Sequence, residues 1–474
     1  MNELTARRRL CFSRMLPLVL SVVCAGCSLG PTYQRPDLDM PEMYRGKPDG
    51  KNDSAMNPAW WDVLRDDTLR SLIRTALTNN YDLRLAVVRM RQAEAVMVQT
   101  RAQRFPAVGY ELEASRGRNA VIGNPAPSQH GAIADAFVGT LNAAWEVDLW
   151  GRLRRLNEAA YEEFLASDES RRRVDLSLVC NVAQAYYELL ELDERLVIAC
   201  NATNSFGQSL KIFNDRLEGG TASRLETARA EGALAAAAAV VPEVEQEIVF
   251  KENQICVLLG RNPGPIARGT SLSSQTPIPD IPVGLPSALL ERRPDVRGSE
   301  RLLRAANARM GVALGNFLPR ISLTALYGVV SPELSALTEG KSEAWAFTAN
   351  VTGPLFQGGQ LYGQYQEIVQ LREEAELNFR QTVLNAFREV SDALITRKKL
   401  KEKRALQERA VEAYQEAVKV ATDRYLAGRA SYFEVLEAQQ ALFPAESDLA
   451  GVRLAQWLGY IQLFKALGGG WDLD

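Results

Sequence analysis

One histidine, His130, is all that 474 residues offer for imidazole chemistry. A Ser-His nucleophile or a histidine-rich zinc site has too few ligands to form. Of six cysteines, Cys11, Cys24 and Cys27 stand in the first 27 residues. Cys180, Cys200 and Cys256 are an odd remainder, scattered over helical pattern, and read as small core residues rather than a disulfide or metal set. No Walker or dinucleotide glycine motif cradles a phosphate. The formal charge of -3 gives nucleic acid nothing to hold. Glu434 and Glu437, three apart on a helical pattern just past Gly428, read from their spacing as an ordinary solvated helix face. Enzyme chemistry is not on offer.

The first 26 residues put Arg7, Arg8, Arg9 and Arg14 against Glu3, and an apolar run from Met15 to Ala25 follows. That run is far too short to span a bilayer as a mature helix, so 1–26 reads as a secretory signal. Its end, Cys24-Ala25-Gly26-Cys27, resembles a lipoprotein signal with lipid added to Cys27, against an alternative of plain cleavage near Ala25. Ser28 follows rather than aspartate, the residue pattern of lipoproteins released to the outer membrane. Residues 27–68, rich in Pro, Gly and Asp and carrying Trp60-Trp61, read as an extended tether that packs through its aromatic residues.

The remaining elements come in duplicate. From Leu285 the sequence LPSALLERRPDVRGSERLLRAANARMGVALGNFLPRISLTALYGV runs as a helix up to Pro319 and then alternates as a strand. Asp82, Arg84, Arg91, Ala93, Ala95 and Pro106 line up at a constant shift with Asp295, Arg297, Arg304, Ala306, Ala308 and Pro319. The organisation is therefore a first repeat over 69–262, a Pro- and Gly-rich linker over 263–285 and a second repeat over 286–474. Each repeat opens with a helix, the first expected from Leu69 to Phe105, and continues with two strands, near 107–116 and 136–149, then near 320–330 and 344–356. In Phe137, Leu141, Trp145 and their alternates, one strand face is apolar with aromatic residues near the ends and the other small and polar. That is the signature of a membrane β-barrel strand. A soluble sandwich alternates too, but about four strands flanked by very long helices do not make one. Nor can four strands close a barrel, whose lower limit is about eight, so closure needs several chains.

After Leu149 a heptad seam runs through Leu178, Val182, Ala185, Leu189, Leu192, Leu196, Ala199, Thr203, Phe206, Leu210, Phe213 and Leu217. Unbroken from Gly151 to Leu217, that helix would be on the order of 100 Å long. Gly219-Gly220 turns the chain, and a second helix, which Pro242 should kink, runs to Leu259. The second copy runs from Gln360 to Leu426, turns at Gly428 and continues to Leu467. Arg397, Arg404 and Gln407 stand in its seam where the first copy is apolar. Two hairpins of equal length result.

These features together resemble the outer-membrane factors of the TolC and NodT type, the exit ducts of tripartite efflux pumps. The residues that carry the resemblance are the Leu285 motif, Cys27-Ser28-Leu29-Gly30-Pro31-Thr32-Tyr33, and the run from Arg424-Tyr425-Leu426-Ala427-Gly428 to Glu434-Val435-Leu436-Glu437-Ala438. The resemblance covers essentially the whole mature chain. It implies a mainly α fold with a transmembrane β part: a homotrimer with a 12-stranded outer-membrane barrel, four strands from each chain, and coiled-coil hairpins forming a periplasmic α-barrel. It implies lipid on Cys27 and no other cofactor, and partners in a periplasmic adaptor and an inner-membrane pump of the RND type. The turns at Gly219, Gly220, Thr221, Gly428, Arg429 and Ser431 would face the adaptor, and Phe433, Glu434 and Glu437 would form the periplasmic constriction. Glu434 and Glu437 stand where relatives carry aspartate. A duct for type I protein secretion keeps the same fold; a lipid-anchored coiled-coil scaffold without a pore is the reading from another class.

Overall fold

A computed structural model of the chain describes residues 29–38, 41, 43–45, 66–118, 133–275 and 289–469. The signal region, Cys27, Trp60-Trp61 and His130 lie outside the described residues. The protein is mainly helical with one small antiparallel sheet. Helices α1 (Asp67–Asn79) and α2 (Tyr81–Ala102) precede strands β1 (Ala107–Arg118) and β2 (Ile133–Val147). Helices α3 (Arg152–Glu218) and α4 (Arg224–Leu258) form the first hairpin. The second repeat follows with α5 (Leu289–Arg292), α6 (Pro294–Gly315), β3 (Arg320–Ser331), β4 (Glu343–Thr352), α7 (Gln360–Leu426) and α8 (Tyr432–Ala466). The chain forms two compact units that cut across the repeats. One comprises Met1–Asp37, Arg89–Ser167 and Gly298–Phe379, the other Leu38–Val88, Asp168–Arg297 and Arg380–Asp474.

The first unit holds the sheet, in the order β1-β2-β3-β4, all pairs antiparallel. β1 starts just past Pro106 and β3 just past Pro319, and strict alternation sorts the side chains of every strand by face. Tyr110, Leu141, Tyr327 and Trp345 stand in one rung, and Val108, Ala143, Ala325 and Phe347 in another on the same face. That face is apolar and unpacked: Leu112 is 78% exposed, Tyr110 76% and Trp345 73%. The opposite face carries Glu111, Thr140, Gly328 and Ala344 in a single rung. The segment after residue 28 is fastened beside the sheet. Leu29 donates its N–H to the Trp150 carbonyl at 3.2 Å, Asn307 Nδ2 donates to the Pro31 carbonyl at 2.9 Å, and the Trp150 indole donates to the Pro319 carbonyl at 2.8 Å. Glu300, within the Leu285 motif, accepts from Tyr33 at 3.1 Å and pairs with Arg35 at 2.6 Å and Arg304 at 2.8 Å. Burial alone would raise the Glu300 carboxyl; the two guanidiniums overcome it and hold the carboxyl below its usual range.

The second unit is built on the α3 seam. Leu178, Val182, Ala185, Leu189, Leu192, Ala199, Phe206 and Phe213 are buried as the heptad requires. Leu217 is 38% exposed, so the seam ends a turn before the loop. Tyr187 stacks on Trp457 with centroids 4.6 Å apart, joining α3 to α8. Cys180 and Cys256 are core residues; Cys200 is exposed, a correction to the expectation for all three. The first helix also departs from expectation, breaking at Asn80 into α1 and α2. There the Asn80 side chain caps α2 by accepting from Leu83 N–H at 3.0 Å and donates to the Leu258 carbonyl at 2.9 Å. The one side chain thereby satisfies an orphan N–H at the start of α2 and an orphan carbonyl at the end of α4. Pro242 does not end α4, and Pro444 likewise lies inside α8. In the second hairpin hydrogen bonds replace apolar packing along part of the seam. Arg404 donates to Gln456 at 3.1 Å, Gln456 to the Leu400 carbonyl at 3.3 Å, and Gln407 to the Ala445 carbonyl at 3.3 Å.

Candidate functional site at the hairpin turns

Both hairpins reverse direction by the same device. At the end of α3, Thr221 N–H reaches back to the Arg216 carbonyl at 2.8 Å, and at the end of α7, Arg429 N–H reaches the Arg424 carbonyl at 2.8 Å. These closures require a left-handed residue one place earlier, filled by Gly220 at φ 70° and Gly428 at φ 68°. Gly219 donates to the Asp215 carbonyl at 3.1 Å and stays outside the left-handed region. Thr221 also donates its hydroxyl to the Arg216 carbonyl at 3.1 Å. Both turns therefore have a structural reason for their glycines.

The helices that leave the turns start differently. Ser223 and Glu226 form a reciprocal cap on α4: Ser223 N–H donates to the Glu226 carboxylate at 2.7 Å, and Glu226 N–H to the Ser223 hydroxyl at 3.3 Å. Ser431 stands at the same place before α8 but its side chain caps nothing. Glu434, the counterpart of Glu226, instead faces Arg424 Nη1 at 3.4 Å. Both side chains are about half exposed, at 43% and 54%, so the pair contributes little stability.

The first turns of α8 have two faces. Tyr432, Val435 and Leu436 are buried in a cluster with Phe213 and Phe206 of α3, Ala230 of α4 and Tyr425 of α7. Phe213 and Tyr432 have ring centroids 3.9 Å apart, and Arg216 lies over the Tyr425 ring at 4.3 Å. Burial pushes the phenols of Tyr425 and Tyr432 above their ordinary range. One turn on, Gln439 donates to Ser205 at 2.9 Å and to Ser209 at 3.3 Å, tying α8 to α3. The other face presents Phe433, 58% exposed, and the exposed Glu437, with Glu434 at its margin. The structure thus brings Phe433, Glu434 and Glu437 to one solvent-facing stripe whose backing is locked. Arg424 and Gln439 belong to this arrangement, and the sequence pattern assigned neither of them a place in it. Their signal was the spacing Tyr432, Val435, Leu436, Gln439, a buried stripe ending in an amide. Among the described residues no group of His, Cys, Asp and Glu side chains is placed to hold a metal ion.

Comparison with known proteins agrees over nearly the full length. The family model described as "Outer membrane efflux protein" matches residues 72–261 and 285–469. The toluene efflux pump outer membrane protein TtgC of Pseudomonas putida is 34% identical over 466 residues, covering 96% of this chain and 94% of that protein. The cation efflux system protein CusC of Escherichia coli is 32% identical over 462 residues, covering 96% of this chain and 99% of that protein. Among solved structures, the outer membrane channel MtrE of Neisseria gonorrhoeae superimposes with a TM-score of 0.85 at 27% identity, covering 94% of this chain and 99% of that one.

Proposed function

The chain belongs to the outer membrane efflux protein family, and from that premise we propose that several copies together build a pore that conducts small molecules passively out of the cell. It is an outer-membrane component of an efflux pump, in a family that transports rather than catalyses. The observation that carries the pore reading is the open sheet. One face is apolar and exposed, the other small and polar, and β1 and β4 are edges. In a bilayer an unpaired edge leaves N–H and C=O groups unsatisfied at several kcal/mol each, so the sheet must close on other copies. Three copies supply twelve strands, four from each chain, enough for a barrel.

On this reading the hairpins continue the duct as an α-barrel on the periplasmic side. Phe433, Glu434 and Glu437 narrow its mouth, where three copies put their carboxylates into rings that favour cations. Gly219, Gly220, Thr221, Gly428, Arg429 and Ser431 meet a periplasmic adaptor, and an inner-membrane pump of the RND type supplies energy and cargo. Lipid on Cys27 fastens the tether to the outer membrane; no other cofactor and no nucleic acid is involved. The test is a planar bilayer holding the purified protein. Stepwise ion conductance is expected, increased when Glu434→Gln and Glu437→Gln are combined with Phe433→Ala. A protein that conducts in neither form is not a pore.

A further inference from the structure

The strand register records the duplication and extends it past the edge of the chain. Ala107 pairs with Ala144, and Arg320 with Thr352. The first strand of one repeat therefore maps onto that of the other by 320 − 107 = 213 positions, and the second strand by 352 − 144 = 208. The hairpins carry the second shift independently, since Gly220 and Gly428, and the last helical residues Leu258 and Ala466, are also 208 apart. Inside the chain the first repeat meets the second along β2 and β3, with Ala143 opposite Ala325 and Ala144 opposite Thr324. We propose that β4 pairs antiparallel with β1 of a second copy of this chain in the same relative register, placing Val351 opposite Leu112 and Thr352 opposite Glu111 of the next copy. The proposal rests on the pore reading and assigns its seam.

Side-chain parity, which the shifts do not use, agrees. Val351 and Leu112 both belong to the exposed apolar face, at 67% and 78% exposure, as do Ala349 and Ala114, the next pair on that face. The polar face then sets Asn350 beside Glu113 and Thr352 beside Glu111, each a donor against an acceptor. A slip by one residue would put Val351 against a glutamate and break the apolar belt. A slip by two keeps the faces, and it is the register shared with β2 and β3 that excludes it. Eight rungs result, from Trp345 opposite Arg118 to Thr352 opposite Glu111, against the eleven pairs joining β2 to β3.

Cysteine pairs read this register directly. Directly opposed strand residues lie about 4.5–5.5 Å apart at Cα, within disulfide reach, while residues offset by two lie about 7–8 Å apart and outside it. In a full chain carrying Cys200→Ser to remove the exposed thiol, Val351→Cys is combined with Leu112→Cys and oxidised with copper phenanthroline in membranes. Covalent trimers on a non-reducing gel are expected, and again for Ala349→Cys with Ala114→Cys. Val351→Cys with Tyr110→Cys, or with Ala114→Cys, should stay monomeric. Cross-linking in an offset pair but not the predicted pair overturns the register and leaves the pore reading standing. So does the absence of any cross-link in a protein that sediments as a trimer in detergent. A protein that neither cross-links nor sediments above one chain overturns both.

Discussion

Asn80 and Arg293 hold the same position in the two repeats and perform the same task with different chemistry. Asn80 Nδ2 donates to the Leu258 carbonyl at the end of α4, and Arg293 Nη1 donates to the Ala466 carbonyl at the end of α8, both at 2.9 Å. Each thereby fastens the last turn of its own hairpin to the start of the helix that leads to the sheet. The arginine is also paired on Nη2 with Asp295 at 2.7 Å and Glu389 at 2.8 Å, and is only 6% exposed. Both joints end on a left-handed glycine: a Cβ on Gly260, at φ 68°, would lie 2.5 Å from the Asn79 carbonyl oxygen, and Gly468, at φ 92°, sits 3.2 Å from Arg293 by the same measure.

The two joints should fail unequally. Arg293→Ala leaves two partly exposed carboxylates and the Ala466 carbonyl without their partner, a loss of about 2–3 kcal/mol for hydrogen bonds to a charged group. Asn80→Ala removes one cap and one hydrogen bond, a loss of about 1–2 kcal/mol. Denaturant unfolding in detergent reads both. Equal losses would mean the ion pairs around Arg293 add nothing to its capping role.

The counterparts Glu226 and Glu434 should separate stability from conduction. Glu226→Ala breaks the reciprocal cap on α4, a loss of about 1 kcal/mol, and should leave conductance unchanged. Glu434→Gln and Glu437→Gln should leave stability within about 0.5 kcal/mol, since both are surface positions, and weaken the cation preference that the proposed carboxylate rings would give. Planar-bilayer recording beside thermal unfolding distinguishes them. A change of selectivity in Glu226→Ala would contradict the assignment of that carboxylate to the cap.

What could be read in advance follows from what each element needs. The strands were legible because a half-exposed sheet must alternate, and α3 because its partners are apolar at heptad spacing. The turns were legible because a left-handed residue after a helix selects glycine. The break at Asn80 was hidden, since Asn80 lies inside a plausible helical stretch and its reason, the Leu258 carbonyl, is 178 positions away. The polar seam of the second hairpin was visible as Arg404 and Gln407, but its satisfaction by Gln456 and a backbone carbonyl needed the partner helix. At the turn, the acidic residues were legible and their fates were not, because Glu226 and Glu434 occupy matching places and so do Arg216 and Arg424, and only the structure shows Arg216 over the Tyr425 ring and Arg424 facing Glu434.

Glu191 gives the first hairpin a pH dependence near neutrality. It is 8% exposed on α3, where burial pushes its carboxyl up to about 7. Arg195 at 3.9 Å opposes the shift, while Glu247 of α4 and Glu194 and Glu188 of α3 add to it. Lys251 of α4 is committed to Glu188 at 2.7 Å, and Arg453 of α8 to Glu194 at 2.7 Å. Between the unfolded value of about 4.3 and the folded value of about 7, the folded protein holds a proton that the unfolded chain has lost, so stability falls as pH rises through this window. Glu191→Gln should remove that fall and raise stability at pH 8 by on the order of 2 kcal/mol. Thermal midpoints for both proteins from about pH 5 to 8 check it; parallel curves would place the titration elsewhere.

On the proposed pore reading, the polar face of the sheet would supply a second, independent influence on ions. Between the rungs of Gly109 and Ser115 it carries Glu111 and Glu113 and, among the described residues, no cationic side chain. Opposite them stand Thr140, Gly328 and Ala344 in one rung and Val138 and Val330 in the other, small groups that leave the carboxylates in the aqueous space. Three copies closed as proposed bring six carboxylates to two adjacent rungs of the barrel, at the seam where Thr352 and Asn350 of the neighbouring copy flank them. Such a ring raises the local cation concentration and is screened by salt, with a Debye length of about 10 Å at 0.1 M. Glu111→Gln with Glu113→Gln should lower the ratio of cation to anion permeability measured from reversal potentials across a salt gradient. The effect should be largest at low salt and shrink as salt rises toward about 1 M, where the screening length falls to about 3 Å. Because these residues lie on strands, the change should add to that of Glu434→Gln and Glu437→Gln rather than be masked by it. A double substitution without effect at low salt would mean that this face does not line the conducting path.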